Sequence, residues 1–485
     1  METKIITRRN VVIGGALTHF LSKIPMVRRP KGRILLRTRI TFTLAILILY
    51  FCLGNIPLFG LSPESLDLFV RWRALFGGQR FSMTALGVWP IIKASLVLQF
   101  FAGPKIMKLD LTSSGDQKFY LNLQKLLVLC FALFISFSYT IGFYIPNQAI
   151  ANQLGVSLRF ISFLLFLQVF SGGILIYYME EVVSRWGIGS GVGLFIVADI
   201  SQQIITGLIN WVPDESGWAV GVIPRWLQIA MLVTPYERSK NGVAFLFQHH
   251  LIALITTIAL FFLVIYLMNA SVELKIPSQS KRAGVRIRFP IKFVHFTYAI
   301  AVPLVFLNVG RVLQSSIQGL GRLLNSQGIT LIGTYEGNMA VSGLMFYLDP
   351  IYSPWDWLPP FVHSMYPDIM GWQIGVRITT DIAIMVIGSM ISALLWIKFS
   401  PGMETRDIRI MISDSDRRIH DYRRSIKAIK RAVDSYTLKI AMVGCGILGA
   451  LLVIANMLGT LGAISVIYLI LAVSIVYEFY EELCR

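Results

Sequence analysis

The chain has 485 residues, 55% of them hydrophobic and 14% charged, with a formal net charge of +18. That balance suits one large membrane domain and excludes an ordinary soluble one. The positive charge resembles a nucleic-acid signature, but the cytoplasmic loops of membrane proteins are basic in any case.

The head, Met1–Arg39, is basic, and its stretch Thr18–Met26 is amphipathic and expected to lie in the membrane interface. It leads into a full-length apolar span with no small-residue cleavage site, so it does not read as a cleavable signal. A helix crosses the hydrocarbon core with roughly 20 mainly apolar residues. Ten stretches meet that length: Ile40–Pro57, Ser82–Gly103, Leu121–Tyr144, Leu158–Val182, Ile188–Val212, Val243–Asn269, His295–Gln314, Gln373–Phe399, Thr437–Leu458 and Gly459–Tyr480.

Basic residues collect on alternate connections. The one after span six holds Lys275, Lys281, Arg282, Arg286, Arg288 and Lys292. The one after span eight holds Arg406, Arg409, Arg417, Arg418, Arg423, Arg424, Lys427, Lys430 and Arg431. These connections and the head face the cytoplasm, which puts both termini inside. The discordant connection is the first external one, with Arg71, Arg73 and Arg80. Nine basic residues in one loop exceed what orientation requires, and point to an anionic partner such as ribosomal RNA.

Ten spans divide into five plus five, and an odd number per half inverts the halves, a transport architecture. The resulting order is a cytoplasmic amphipathic segment at 1–39, an N-terminal half at 40–212, an external hinge loop at 213–242 and a C-terminal half at 243–485. The second half carries cytoplasmic loops at 271–294 and 400–436. The hinge is rich in proline and tryptophan, as an interfacial loop should be. Between spans one and two lies an extra piece at 61–80, LSPESLDLFVRWRALFGGQR. Ser62-Pro63-Glu64 reads as a helix start and Gly77-Gly78 as its end. The piece is too short and too charged to span. On physical grounds it is either an external loop helix or a re-entrant element.

No nucleotide loop, HExxH or metal-spaced Cys/His cluster is present, and no cofactor is implied. The four cysteines, Cys52, Cys130, Cys445 and Cys484, form no disulfide framework. His249 and His250 are neighbours that cannot share a helix face, so a structural role is expected.

Five motifs in order resemble the SecY-type protein translocation channel in its archaeal and eukaryotic branch. Span two reads ALGVWPIIKASLVLQFFAG, and span five opens with WGIGSGVGLFIVADISQ, Trp186–Gln202. RFPIKF precedes span seven, HDYRRSIKAIKRAV follows span eight, and the tail reads IANMLGTLGA…AVSIVYEFYEEL. The resemblance implies an all-α membrane protein of ten transmembrane helices, in two inverted five-helix halves around a central pore, with a short plug helix. It implies a passive channel in the cell membrane for unfolded polypeptides, opening sideways to release hydrophobic segments into lipid. Its implied partners are two small single-span subunits (SecE/gamma-like and beta-like), the ribosome, and signal peptides and nascent chains.

A ring of branched aliphatic side chains can hold back ions, because ion dehydration is costly and an apolar constriction dewets. Carried over by position, the ring is Val88, Ile92, Ile196, Ile200, Val302, Val305 and Ile470. The plug falls on 61–80, with Leu66, Phe69 and Leu75 as apolar positions. Lys93, Asn308 and Gln314 are the implied polar groups of the lateral gate. Lys281, Arg282, Arg286, Arg288, Arg423 and Arg424 are the implied ribosome contacts.

Lys93 and Asp199 depart from the family pattern, which has small residues there, and span three shows Ile135 and Ser136 where an acidic residue is expected. Charges inside a membrane are costly and seek partners. Lys93 is therefore expected to pair with Asp199 across the closed channel, or with Asp381 across the lateral gate. The alternative function is a secondary transporter with Asp199, Lys93 and Asp381 as ligands. The long basic loops, useless to a transporter, discriminate the two.

Overall fold

The computed structural model of the chain describes residues 27–28, 30, 32, 34–65, 78–102, 114–214, 216–233, 242–269, 271–276, 287–292, 309–326, 333–336, 339–365, 369–399, 426–463 and 466–484. The chain divides into two compact units. The first is Met1–Gln202 with Ile475–Arg485, and the second is Gln203–Ser474.

In the first unit the helices are α1 (Leu36–Gly54), α2 (Trp89–Ala102), α3 (Ser114–Gly142), α4 (Gln148–Leu154), α5 (Leu158–Trp186) and the start of α6 (Gly191–Ile209). Apolar side chains wrap almost the whole of α1 and leave Tyr50 as its one buried residue among those described. A helix apolar all round needs an apolar surround, and Leu36, Leu44, Ile48 and Leu49 stay exposed for one. Helix α5 packs on both α1 and α3. The core between α3 and α5 is built from Ala132, Ile135, Tyr139, Ile161, Leu165 and Val169. Asn147 caps α4 by accepting from the Ala149 N–H at 2.9 Å, and Gly155 closes it in the left-handed region. Ser157 then caps α5.

Gly172 in α5 shows why a small residue stands mid-helix. A Cβ there would lie 1.8 Å from the Met83 carbonyl oxygen. Gly189, in the turn before α6, has φ +67, and a Cβ there would lie 2.1 Å from the Phe479 ring. The glycine-rich entry of span five is thus a packing necessity. Val27, Arg28 and Arg39 strap the N-terminal segment and α1 to this corner. Glu181 Oε2 accepts the Val27 N–H at 3.2 Å, and Arg185 Nη1 donates to the Val27 carbonyl. Trp186 Nε1 donates to the Arg28 carbonyl at 2.9 Å, and Arg39 Nε to that of Gly187 at 2.9 Å.

The second unit continues with the rest of α6, then α7 (Val222–Leu232), α8 (Gly242–Gln248) and α9 (Leu251–Asn269). An antiparallel hairpin follows, β1 (Ser271–Ile276) with β2 (Ile287–Lys292), in which Lys275 faces Arg288 in register. Next come α10 (Val309–Ser326), the two-residue strands β3 (Tyr335–Glu336) and β4 (Met339–Ala340), α11 (Gly343–Tyr347) and α12 (Pro359–Met365). It ends with α13 (Gly371–Phe399), α14 (Ile426–Leu458) and the start of α15 (Val466–Cys484). Helices α13 and α14 form the largest helix–helix contact, and α10 also packs on α13.

Five described helices are long and apolar enough to cross a membrane, and a sixth is added if α8 and α9 count as one broken span. Three expectations change. Span two starts as a helix only at Trp89. Residues Ser82–Gly87 form tight turns instead, with the Ala85 N–H on the Ser82 carbonyl at 3.0 Å and the Gly87 N–H on that of Thr84 at 2.8 Å. Span six is broken by 71° between Gln248 and Leu251, where His250 takes φ +61. The connection after it is not all helix or coil, since β1 and β2 alternate apolar and polar residues and pair. An all-α description therefore holds for the bundle but not for these loops. Of span seven, residues 295–308 lie outside those described, as do Thr18–Met26.

Candidate functional site: the roots of the extra segment and the buried carboxylates

The residues that flank 66–77 are both fixed in the first unit. On the entry side, the Ser62 N–H donates to the Ile145 carbonyl at 2.8 Å, and the Asn147 N–H to that of Gly60 at 2.9 Å. Gln168 of α5 clasps Phe59, accepting its N–H at 2.9 Å and donating to its carbonyl at 3.1 Å. On the exit side, the Leu58 N–H donates to the Phe81 carbonyl at 2.9 Å and the Met83 N–H to that of Ile56 at 3.2 Å. The two roots thus pair with each other.

Asp199 of α6 sits beneath the exit root and is 1% exposed. Its Oδ1 accepts from the Tyr50 hydroxyl at 2.9 Å and from Gln79 Nε2 at 2.9 Å. Its Oδ2 accepts the Gly78 backbone N–H at 3.2 Å. Gln79 Nε2 also reaches Gln202 Oε1 at 2.7 Å. Tyr50 is set for this by stacking on Phe195 with centroids 4.8 Å apart. Gly78 cannot carry a side chain here, because its Cβ would lie 2.4 Å from the Thr84 carbonyl.

The residues of this unit expected to form the ring are apolar. Val88, Ile196 and Ile200 are buried, and Ile92 is half-buried. The Ile92 N–H bonds to the Val88 carbonyl at 3.0 Å, so the two side chains follow one another across the first turn of α2. Ile470 is buried in the second unit. Val302, Val305 and Asn308 lie outside the described residues, as do Leu66, Phe69, Leu75, Lys281, Arg282, Arg286, Arg423 and Arg424. Of Arg288 the backbone alone is described, in β2.

The expected partners of Lys93 are corrected. Its ammonium lies over the Trp89 ring, 4.7 Å from the centroid, one helical turn back. Asp199 is held by Tyr50, Gly78 and Gln79 instead. Asp381 of α13, fully buried, pairs with Arg311 of α10 at 2.9 Å. Gln314 Nε2 joins it at 2.8 Å and the Ile351 N–H at 3.2 Å. Gln314 is thus one arm of a carboxylate cradle within the second unit. Ser136, in place of an acidic residue, is fully buried and donates to the Ala132 carbonyl at 2.7 Å. Tyr50, Gln79, Gln168 and Arg311 carry these networks and escaped the sequence reading. Arg311 had a signal, since a lone cation near a span seeks a carboxylate.

Elsewhere in the second unit, His249 is a structural residue, as its ring meets Phe245 at 4.3 Å and Trp218 at 5.7 Å. Trp226 Nε1 donates to the His249 carbonyl at 3.0 Å. Asp349, in the connection before α12, pairs with Arg377 at 2.9 Å. Burial pushes its carboxyl up to about 6, against the downward pull of Arg377.

The SecY family profile matches residues 82–480, and the profile for the plug domain of Sec61p matches residues 48–80. The chain belongs to the SecY family. A curated relative, the protein translocase subunit SecY of Archaeoglobus fulgidus, is 43% identical over 478 residues, covering 97% of this chain and 95% of its own length. A solved protein-conducting channel is similar with a TM-score of 0.63 and 26% identity, over 96% of each chain. Sec61 from the canine ribosome–channel complex of the endoplasmic reticulum is similar with a TM-score of 0.61 and 26% identity, again over 96% of each chain. This SecY-family chain is therefore a multi-pass membrane protein of helical SecY/Sec61 fold, and its activity is protein translocation. The plug domain accounts for the extra segment that composition alone left as a loop helix or a re-entrant element. The carboxylate of Asp199 holds the last residues of that domain.

Proposed function

We propose that the chain is the pore-forming subunit of the general protein-secretion translocon, with ten spans in two inverted five-helix halves. Val88, Ile92, Ile196, Ile200, Val302, Val305 and Ile470 form its constriction, and the plug closes it from the external side. The observation that carries this is the burial of Val88, Ile196 and Ile200 beside the root of the plug domain. Apolar side chains grip a passing backbone only loosely and exclude ions through dehydration and dewetting. Lys93, Asn308 and Gln314 lie along the lateral gate, through which hydrophobic segments pass into lipid. The similarity to Sec61 from a ribosome–channel complex supports docking of a ribosome on loops 271–294 and 400–436. Arginine there offers a planar fork to the phosphates of ribosomal RNA. Two single-span subunits complete the complex. The chain sits in the cell membrane with both termini in the cytoplasm, as its basic connections require.

Planar-bilayer conductance tests the constriction. Replacing Ile196 and Ile200 together with glycine should raise the resting ion conductance of the reconstituted complex while translocation of a secretory precursor continues. Unchanged conductance in that variant would remove the ring from the account.

A further inference from the structure

Asp199 is an acidic residue deep inside α6, with nearly all its surface removed from water. Such a group is retained only where donors surround it. Two of its donors, the Gly78 N–H and Gln79 Nε2, belong to the chain as it leaves the plug domain, whose profile ends at residue 80. A third, the Tyr50 hydroxyl, comes from α1. The carboxylate therefore ties the exit root to two helices at once, and Gln202 doubles the hold on Gln79.

The root it holds is strained. Phe81 has φ +55, a region that costs a bulky side chain and persists only where surroundings over-determine it. The surroundings here are the Leu58 N–H on its carbonyl and the Tyr144 ring 6.0 Å from its own. Arg80 lies over the same Phe81 ring at 4.5 Å. The strained Phe81 thus follows closely on the residues that the carboxylate holds, Gly78 and Gln79.

We propose that Asp199 is a positioning residue that holds the exit root of the plug against α6 and so sets how readily the channel opens. This rests on the reading of the chain as a plugged protein channel. Movement of the root strips the carboxylate of the Gly78 and Gln79 donors while α6 keeps it buried. An unsatisfied buried acceptor is costly, so the seated state is favoured. The donors described on this carboxylate are neutral, in contrast to the Lys93 latch expected from charge alone.

The test uses the full complex reconstituted in planar bilayers and in proteoliposomes, with four variants and the Asp199→Gly/Gln79→Ala double. Asp199→Gly removes the acceptor. Gln79→Ala removes one donor, and Asp199→Asn keeps an acceptor for the Gly78 N–H and an amide that can pair with Gln79. The fourth is a deletion of 66–77. Asp199→Gly should raise resting open probability about tenfold, the effect expected from losing one or two buried hydrogen bonds. It should also let precursors with weakened signal sequences through. Gln79→Ala should do the same to a smaller extent, and should add nothing further in the Asp199→Gly background. Asp199→Asn should stay near the parent channel, which a charge-based latch would not allow. Resting conductance and signal stringency unchanged in Asp199→Gly, with a leaky deletion channel, overturn the clamp and leave the plug reading intact. An ion-tight deletion channel overturns both. A leaky Asp199→Gly whose purified complex unfolds earlier than that of an equally leaky Asp199→Asn also overturns it.

Discussion

Asp381 is fully buried in α13, and its partner Arg311 keeps 14% of its side chain exposed. Two sizes of effect compete when this pair is broken. The neutral donors, Gln314 Nε2 and the Ile351 N–H, contribute about 0.6 kcal/mol each if they match the average for hydrogen bonds inside membrane proteins. Leaving a charge alone at membrane depth costs about 2.5–3.5 kcal/mol. The charge term wins. Asp381→Asn, which keeps the shape and one acceptor, should destabilise by about 3 kcal/mol because Arg311 loses the Asp381 carboxylate, which the neutral Gln314 Oε1 and Ile351 carbonyl beside it do not replace. Arg311→Met should cost a similar amount because the buried Asp381 loses its cation and is left with the neutral donors of Gln314 and Ile351. The double variant removes both charges together and should cost about 1 kcal/mol, well below the sum, as buried pairs replaced by apolar groups generally do. Unfolding of the purified protein in mixed micelles titrated with dodecyl sulfate measures all three. Additivity within about 0.5 kcal/mol would refute the reasoning, since independent sites add to that accuracy.

Three more expectations follow from the same geometry. Asp349 is raised to about 6, so the folded state binds its proton more tightly than the unfolded chain does; its contribution is full below about 4 and lost as pH rises through 6. Thermal midpoints should fall between pH 5 and pH 7.5, and Asp349→Asn should flatten that dependence. Gly172→Ala pushes a Cβ to 1.8 Å from the Met83 carbonyl and should destabilise by about 1–3 kcal/mol, read as a lower unfolding midpoint and reduced yield of folded complex. Reversing Arg282, Arg286, Arg288 and Arg423 to glutamate should weaken ribosome binding in co-sedimentation, and the parent's binding should weaken with salt; equal affinity in both would dismiss the docking loops.

Much of the helical framework is legible in the sequence because lipid demands long apolar runs, and α1, α5 and α13 appear within a few residues of their predicted ends, while α3 starts well before its predicted Leu121, at Ser114. What hydropathy cannot see is where such a run stops being helical. Ser82–Val88 is apolar enough to extend a span, yet Ser82 and Thr84 bond to each other at 2.9 Å and turn the chain. The break at His249–His250 is likewise hidden, since Phe245, Phe247 and the following leucines keep the run apolar. The intramembrane charges were legible as problems needing partners, but the partners were not. A backbone N–H at Gly78 and the amide of Gln79 carry no charge to search for, and Lys93 meets its need on a neighbouring indole. Arg311 and Asp381 are 70 residues apart, and the packing of α10 on α13 makes them neighbours.

The strap at the start of the chain divides its tolerance to change unevenly. Every atom that Val27 and Arg28 contribute to it belongs to the main chain, while Glu181, Arg185 and Trp186 contribute side chains. Drift at 27 and 28 can therefore proceed through most residue types without loosening the attachment, proline at 27 excepted, since it has no N–H to offer Glu181. The opposite bank has no such licence. A related chain could change residues 27 and 28 and still be held at the same place, provided the acid, the guanidinium and the indole across from them stayed as they are.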